Sequence, residues 1–413
     1  MGETQPGGED QGADRRQRTG DHGRRMGETQ LGREDQGTQR RRDLIVGSVK
    51  TIHYRVPQAL FSPTRLDDTT HTIDALDLIV AIVRTHDGVQ GIGYTYTTGH
   101  AAAAVKAMLD MEVAPYLVGR SCRDTGRLWE EAWWRTHWAG RGGVSTLAMA
   151  AADIALWDAQ AVAAGLPLFR YLGVHRQGIQ GYGSGVNLSL SLPELLHQAS
   201  EFVARGFRGY KLKVGRPSAA EDAERLTKLR EVLGPERLLL VDANMGWSLA
   251  EAQRRARDLE QADVYWLEEP LIPEDVAGHA TLARTVRVPI AAGENLYSAY
   301  QFAEYFRAGA LHVVQADVVR CGGISEWLKI AALAHSFNLP MAPHFVAELH
   351  VHLLCAIPNA LILEYLPWFD ALLEQPLAPT DGFFRPPEQP GHGVRFDWDK
   401  LRPYEMHQWA SRG

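Results

Sequence analysis

Only three cysteines occur in 413 residues, Cys122, Cys321 and Cys355; they lie far apart and form no CxxC pair. That argues against a disulfide framework and for free thiols in a reducing compartment. No run approaches eighteen uninterrupted apolar residues, and no apolar segment follows the charges at the N-terminus. Neither a membrane span nor a secretory signal is therefore expected, and the chain reads as cytoplasmic. A basic surplus is also missing: the net charge is −7, which argues against nucleic acid as a partner. The first 43 residues lack aromatics and contain only Met1, Met26 and Leu31 as large apolar residues. They cannot bury enough surface to offset the entropy of ordering, so residues 1–43 are expected to form a disordered leader. MGETQPGGEDQG at 1–12 returns as MGETQLGREDQG at 26–37. Because the second copy also opens on Met, an over-extended start or a duplicated leader weighs at least as much as a binding arm.

What remains has the texture of a globular protein, with 45% hydrophobic and 23% charged residues overall. From Leu44 the runs LIVGSVKTIHYRV, ALDLIVAIVRT and VQGIGYTYT suggest a small antiparallel meander, the last two joined by a turn at His86-Asp87-Gly88. The polar segment at 57–72 between the first two runs is too long for a tight hairpin, and such loops often carry function. Helical periodicity follows from Ala101 to Gly165, where a glycine stop is expected. From about Ile179 the pattern alternates strand and helix as far as ALILEYL. Eight strand candidates in that alternation imply an α/β closed barrel. A doubly wound open sheet is the weaker alternative, since no GxGxxG follows the first strand.

Three carboxylates close successive apolar runs at an even interval of 26 residues: Asp242 in LLLVDAN, Glu268 in VYWLEEP and Glu294 in VPIAAGEN. One strand, crossover helix and loops occupy about that length, so the three would end neighbouring parallel strands and converge as hard oxygen ligands for a divalent cation such as Mg²⁺. The beat continues with Lys211 and Lys213 before the triad and Asp317, His344 and Glu364 after it. Lysines two apart share one strand face, and a strand covered by helices has no solvated face to put them on. Taken singly, Asp242 could cap a helix, Glu268 could be a surface acid before Pro270, and Asp317 could open the turn at Gly322-Gly323. His350 and His352 are expected after a helix, on its surface or in packing contacts. Trp133, Trp134 and Trp138 are expected in the core of the N-terminal unit.

In their order along the chain, KLK, VDAN, LEEP, GEN, QAD followed by GG, and APH resemble the enolase superfamily, mandelate racemase subgroup. The likeness spans about residues 44–400. It implies a modified TIM barrel, (β/α)7β, over 174–370, beneath an N-terminal α+β capping domain over 44–173, with residues 371–413 returning to the cap. It further implies Asp242, Glu268 and Glu294 as Mg²⁺ ligands, Lys213 as a base and His344 with Asp317 as the dyad on the opposite face. Lys211 and Asn244 would meet the substrate carboxylate, and Glu364 would hydrogen-bond it. Lys211 and the metal should push the pKa of Lys213 down, as a base near neutral pH requires. The partner expected is a small-molecule carboxylate, and the protein a homo-oligomer.

A base on each side of the reacting carbon permits re-protonation, giving a racemase or epimerase, or loss of a β-hydroxyl with His344 as acid, giving a dehydratase. WAGRGGVSTLAMAAADIALWD, YKLKVGRP and APHFVAELHVHL are similar to acid-sugar dehydratases of the galactarate/talarate type. The Ser, Thr, Arg, Asp and His of the 57–72 loop would suit a polyol better than an aryl substrate. Dehydration of an aldonate or aldarate to a 2-keto-3-deoxy acid is the expected reaction. A non-catalytic, metal-bound barrel is the alternative from another class, which an intact base set argues against.

Overall fold

The computed structural model describes residues 43–412, so the disorder expected of the leader lies outside the described residues. Three antiparallel strands, β1 (Val46–Pro57), β2 (Ala75–Thr85) and β3 (Gln90–Thr97), form the expected meander. Gly88 takes φ +82° in the β2–β3 turn, a conformation that glycine reaches without steric cost. The helix Val144–Ala163 lies across β3 and is buried almost all round, as its Ala-rich sequence allows. The approach is close enough that a Cβ on Gly91 or Gly93 would sit 2.1 Å from the carbonyl oxygen of Ala155 or Ala151. Glycine is therefore required there by contact, and Gly165 (φ +68°) follows the helix end.

A second sheet of parallel strands follows, ordered β10-β4-β5-β6-β7-β8-β9, where β4 is Ile179–Ser184, β5 Gly209–Lys213, β6 Leu238–Asp242, β7 Val264–Glu268, β8 Ile290–Ala292, β9 Val313–Val314 and β10 Leu363–Tyr365. Seven helices, from Leu192–Ala204 to Ala347–Cys355, alternate with these strands. Ser191, Ser218, Ser248 and Asp275 cap four of them through side-chain oxygens. The strand expected at LPMAPH is not formed. Met341 alone bridges Val314 on one side and Ala360 on the other. Pro340 and Pro343 lack the N–H groups that a longer ladder needs, so this position of the barrel shrinks to one residue and still closes the ring. Tyr182, Leu240, Trp266, Ala291, Val313, Ala342 and Ile362 pack together as one buried cluster, one from each strand position but that of β5.

The C-terminal part packs back on both sheets: β11 (Phe383–Phe384) pairs with β4, and β12 (Glu405–Arg412) pairs antiparallel with β1. Asp153 of the long cap helix accepts from Ser325 N (2.9 Å) and Ser325 Oγ (2.6 Å) at the start of the barrel helix Ile324–Ser336. Burial lifts its carboxyl to about 7, against the pull of those same hydrogen bonds.

Two further expectations need correction. Trp133 is buried and stacked on Trp129, but Trp134 and Trp138 are 63% and 98% exposed. Positions i and i+4 of the helix Thr125–Thr136 share its inner face, Trp134 is turned away from it, and Trp138 lies beyond the helix end. His350 and His352 sit within a helix rather than after it, and both are fully buried, so packing and not surface is their setting. Among the described residues no helix is long and apolar enough to cross a membrane, and all three cysteines are buried and free.

Candidate active site

Alternation along a covered strand explains why charged residues collect at one end of the barrel. In β5, Tyr210 and Leu212 face the helix layer, so Lys211 and Lys213 face the barrel axis. In-register pairing places Lys213 beside Asp242, and Asp242 beside Glu268. Glu294 follows β8 by two residues, and the ligand atoms of Asp242, Glu268 and Glu294 all lie within 4.8 Å of one another. The triad anticipated from the 26-residue interval is thus brought together.

Lysines and acids interlock. Lys211 Nζ lies 2.7 Å from both Glu268 Oε1 and Glu364 Oε1, and 3.6 Å from Asp242 Oδ2. Lys213 Nζ is 2.6 Å from Asp242 Oδ2. Beyond the triad, His344 Nδ1 meets Asp317 Oδ2 at 3.0 Å, while its Nε2 faces Glu294 Oε2 at 3.2 Å. Asp317 Oδ1 accepts from Val319 N, and Glu364 Oε2 from Phe345 N, at 2.9 and 2.8 Å. Phe345 and Val346 have φ of +54° and +25°, strained backbone that this bond helps to hold directly after His344.

Asn244 (φ +43°) donates its backbone N–H to Asp242 Oδ1 at 2.8 Å, and its side-chain Oδ1 is buried without a hydrogen-bond partner among the described residues. A cavity of about 120 Å³ is lined by Lys211, Lys213, Asn244, Glu294, His344 and Glu364 among others. It suits a small polar molecule better than a drug-sized ligand, whose pockets start near ~300 Å³.

The electrostatics show a site short of positive charge. Burial, offset by Lys211 but reinforced by Asp242 and Glu364, lifts Glu268 to about 7. Glu269, with φ +37° and an Asn295 amide on its Oε2 at 2.8 Å, is pushed well above the carboxylate range by burial and by Glu294 and Asp242. A divalent cation would relieve the crowding of like charge that raises Glu268, and three hard oxygen donors within 4.8 Å of one another fit Mg²⁺. Burial opposes the charged form of His344, yet Glu294 and the Asp317 hydrogen bond raise it to about 9.

For Lys213 the expectation included the metal, and the protein's own groups act the other way. Burial and Lys211 lower its pKa, but Asp242, Glu294 and Glu268 together outweigh both and the ammonium is held above its ordinary range. Adjacency in sequence puts like charges together, whereas the fold puts a carboxylate against each. A divalent cation on the same oxygens would draw their charge away and let burial and Lys211 prevail.

Of the cavity residues, Arg320 had no sequence signal, while Asp68 and His71 belong to the loop singled out for its polar content. Arg320 donates from Nε to Glu294 O (2.6 Å) and from Nη2 to Asn295 Oδ1 (2.7 Å). Asp68 and His71 come from the 57–72 loop, which docks through Thr69 Oγ1 donating to Ala243 O (2.6 Å) and Asn244 O (3.0 Å). Gly215 and Gly246 leave room for Thr69; a Cβ on either would come within 2.3 or 2.7 Å of its side chain. The loop's polar content was legible, but its docking partner, 174 residues away, was not.

The chain is similar to known proteins. Residues 194–400 match the enolase C-terminal domain-like family, and residues 49–173 the mandelate racemase / muconate lactonizing enzyme N-terminal domain. The 3,6-anhydro-alpha-L-galactonate cycloisomerase of Streptomyces coelicolor is 41% identical over 86% of this chain and 98% of its own length. The L-talarate/galactarate dehydratase of Salmonella typhimurium is 40% identical over 74% of this chain and 77% of its own. The crystal structure of L-talarate dehydratase from Polaromonas sp. JS666, complexed with Mg and L-glucarate, superposes with a TM-score of 0.83 at 35% identity, covering 89% of this chain and 99% of that one. The chain belongs to the mandelate racemase/muconate lactonizing enzyme family of the enolase superfamily.

Proposed function

We propose that this protein removes the proton α to the carboxylate of an acid sugar and expels the β-oxygen, dehydrating an aldonate or aldarate to a 2-keto-3-deoxy acid. The observation that carries the reading is the pairing of a lysine and a histidine on opposite flanks of one carboxylate triad, around a small polar cavity. Mg²⁺ held by Asp242, Glu268 and Glu294 would supply positive charge for the negative charge that grows on the substrate carboxylate. Lys211 and the Asn244 side-chain N–H donors orient that carboxylate. Lys213 takes the α-proton on its side. His344, with Nδ1 held by Asp317, presents Nε2 to the leaving oxygen and delivers a proton to it. Glu364 lines the cavity, and its two oxygens keep Lys211 and the Phe345 backbone N–H in place.

A second reading is favoured by the anhydro-galactonate relative. If the β-oxygen belongs to a 3,6-anhydro ring, the same elimination opens the ring and releases no water. One experiment separates the possibilities: incubation with an acid-sugar and anhydro-sugar-acid library in D₂O, with Mg²⁺ or with excess EDTA, read by mass and by NMR. Dehydration gives a keto product lighter by one water, ring opening an isomeric keto product, and a racemase or epimerase an interconversion of α-epimers without any keto product. The last result, or full turnover in EDTA, refutes the proposal.

A further inference from the structure

Three consecutive residues of cap strand β3 reach the part of the barrel that holds the histidine–aspartate pair. Tyr94 Oη donates to Glu348 Oε1 (2.5 Å), Thr95 Oγ1 to Val319 O (2.7 Å) and Tyr96 Oη to Asp317 Oδ2 (3.3 Å). Tyr96 is buried, and its ring meets that of Phe345, the residue after His344, edge-on at 5.0 Å. Asp317 Oδ2 therefore receives two donors, Tyr96 Oη and His344 Nδ1, while Oδ1 is held by Val319 N. The carbonyl of Val319 is itself held by Thr95.

We propose that Tyr96 is a positioning residue for His344: its hydroxyl fixes the Asp317 carboxylate against the imidazole, so that the barrel's acid is aligned only when the cap strand is docked. With Val319 N alone, Asp317 has one anchored oxygen, and its other oxygen is free to swing about that anchor. The Tyr96 hydroxyl supplies the second anchor at the very oxygen that holds Nδ1–H. A bond of 3.3 Å between oxygens is long, so its contribution to stability is small and its consequence is orientation. Removing a partner that orients a reactive imidazole costs about 10- to 100-fold in function by analogy with metal-bound histidines. Tyr94, two residues earlier, touches Glu348 and not the pair, which makes it the matched control.

The inference rests on the proposed role of His344 as general acid, and the test keeps the two apart. Tyr96→Phe and Tyr94→Phe are compared with the unaltered Mg²⁺-loaded enzyme, using galactarate and any acid sugar that the library shows to be turned over. The assay measures dehydration and α-deuterium exchange together, for a substrate whose exchange survives His344→Asn. Tyr96→Phe is expected to lower kcat for dehydration about 10-fold or more, to leave KM within about twofold, and to raise the exchange-to-dehydration ratio at least about 5-fold. Tyr94→Phe should leave that ratio unchanged. Independently of turnover, ¹⁵N-histidine NMR of the substrate-free enzyme should show faster solvent exchange of the His344 Nδ1 proton in Tyr96→Phe alone. An unchanged ratio, an equal fall of both reactions, or an Nδ1 proton as protected as before overturns the inference. If no acid sugar is turned over, the proposed function fails, and the NMR comparison still decides whether Tyr96 holds the pair.

Discussion

Lys211 sits where the charge balance of the barrel is most exposed to test. Its ammonium, 1% exposed, lies 2.7 Å from Glu268 and from Glu364 and 3.6 Å from Asp242. At an effective dielectric of about 20, each 2.7 Å contact is worth roughly 6 kcal/mol of Coulomb attraction, offset by a desolvation penalty of several kcal/mol per ion. The net worth of the cluster is small, but removing only its cation leaves Glu268 and Glu364 buried without their shared partner, while Asp242 keeps Lys213. Lys211→Met keeps the unbranched stem and deletes the charge, and should destabilise the metal-free protein by about 3–5 kcal/mol at pH 8. Adding Glu364→Gln to that background removes one of the orphaned charges and should restore at least about 1.5 kcal/mol. Guanidinium unfolding of the four proteins in EDTA, closed as a double-mutant cycle, reads the coupling directly. Effects that add to within about 0.5 kcal/mol would refute the cluster as the source of the cost.

Metal-free protein should also lose stability as pH rises from 6.5 to 8. Glu268, Glu348 and Asp153 are each raised to about 7, from 4.5, 4.5 and 3.8, so the folded state binds protons that the unfolded state has released; their contribution is complete below the unfolded values and is lost as pH passes 7. The three together amount to about 2 kcal/mol over this window, and His344, raised to about 9, adds in the same direction. Below 6.5 the buried His350 and His352, lowered to about 4 and 3, oppose the trend, so thermal midpoints at pH 6.5 and 8 in EDTA are the comparison; a higher midpoint at pH 8 contradicts it. Gly93→Ala would place a Cβ 2.1 Å from Ala151 O and 2.5 Å from Ala155 N, so it should cost about 1–3 kcal/mol or more by forcing the long cap helix off β3. An unchanged thermal midpoint would show that this contact is looser than it looks.

Where the sequence was read correctly, a repeating physical constraint was at work. The alternation of strand and helix repeats, so the parallel barrel sheet followed from pattern, as did the convergence of Asp242, Glu268 and Glu294. It failed where the constraint was local. LPMAPH has the apolar content of a strand, but two prolines leave Met341 as its only bridging residue. Trp134 and Trp138 have the bulk of core residues, and only the helix phase turns them outward. Contacts between distant segments, such as Thr69 with Ala243 or Tyr96 with Asp317, had no sequence signal, because either partner is unexceptional until the other is beside it.

Lys213 shows the same limit at the level of chemistry. Read along the strand, it has Lys211 two residues away, and like charge should make it the better base. In the folded barrel, neighbouring strands bring Asp242 within 2.6 Å and Glu294 and Glu268 into range, and their attraction outweighs both burial and Lys211. A lysine so held is a poor base. The same three acids are the hard ligands that a dication needs. Binding one would satisfy the triad and lower the proton affinity of Lys213 in a single event, so in the proposed reaction metal binding and base activation would be coupled through the same oxygen atoms.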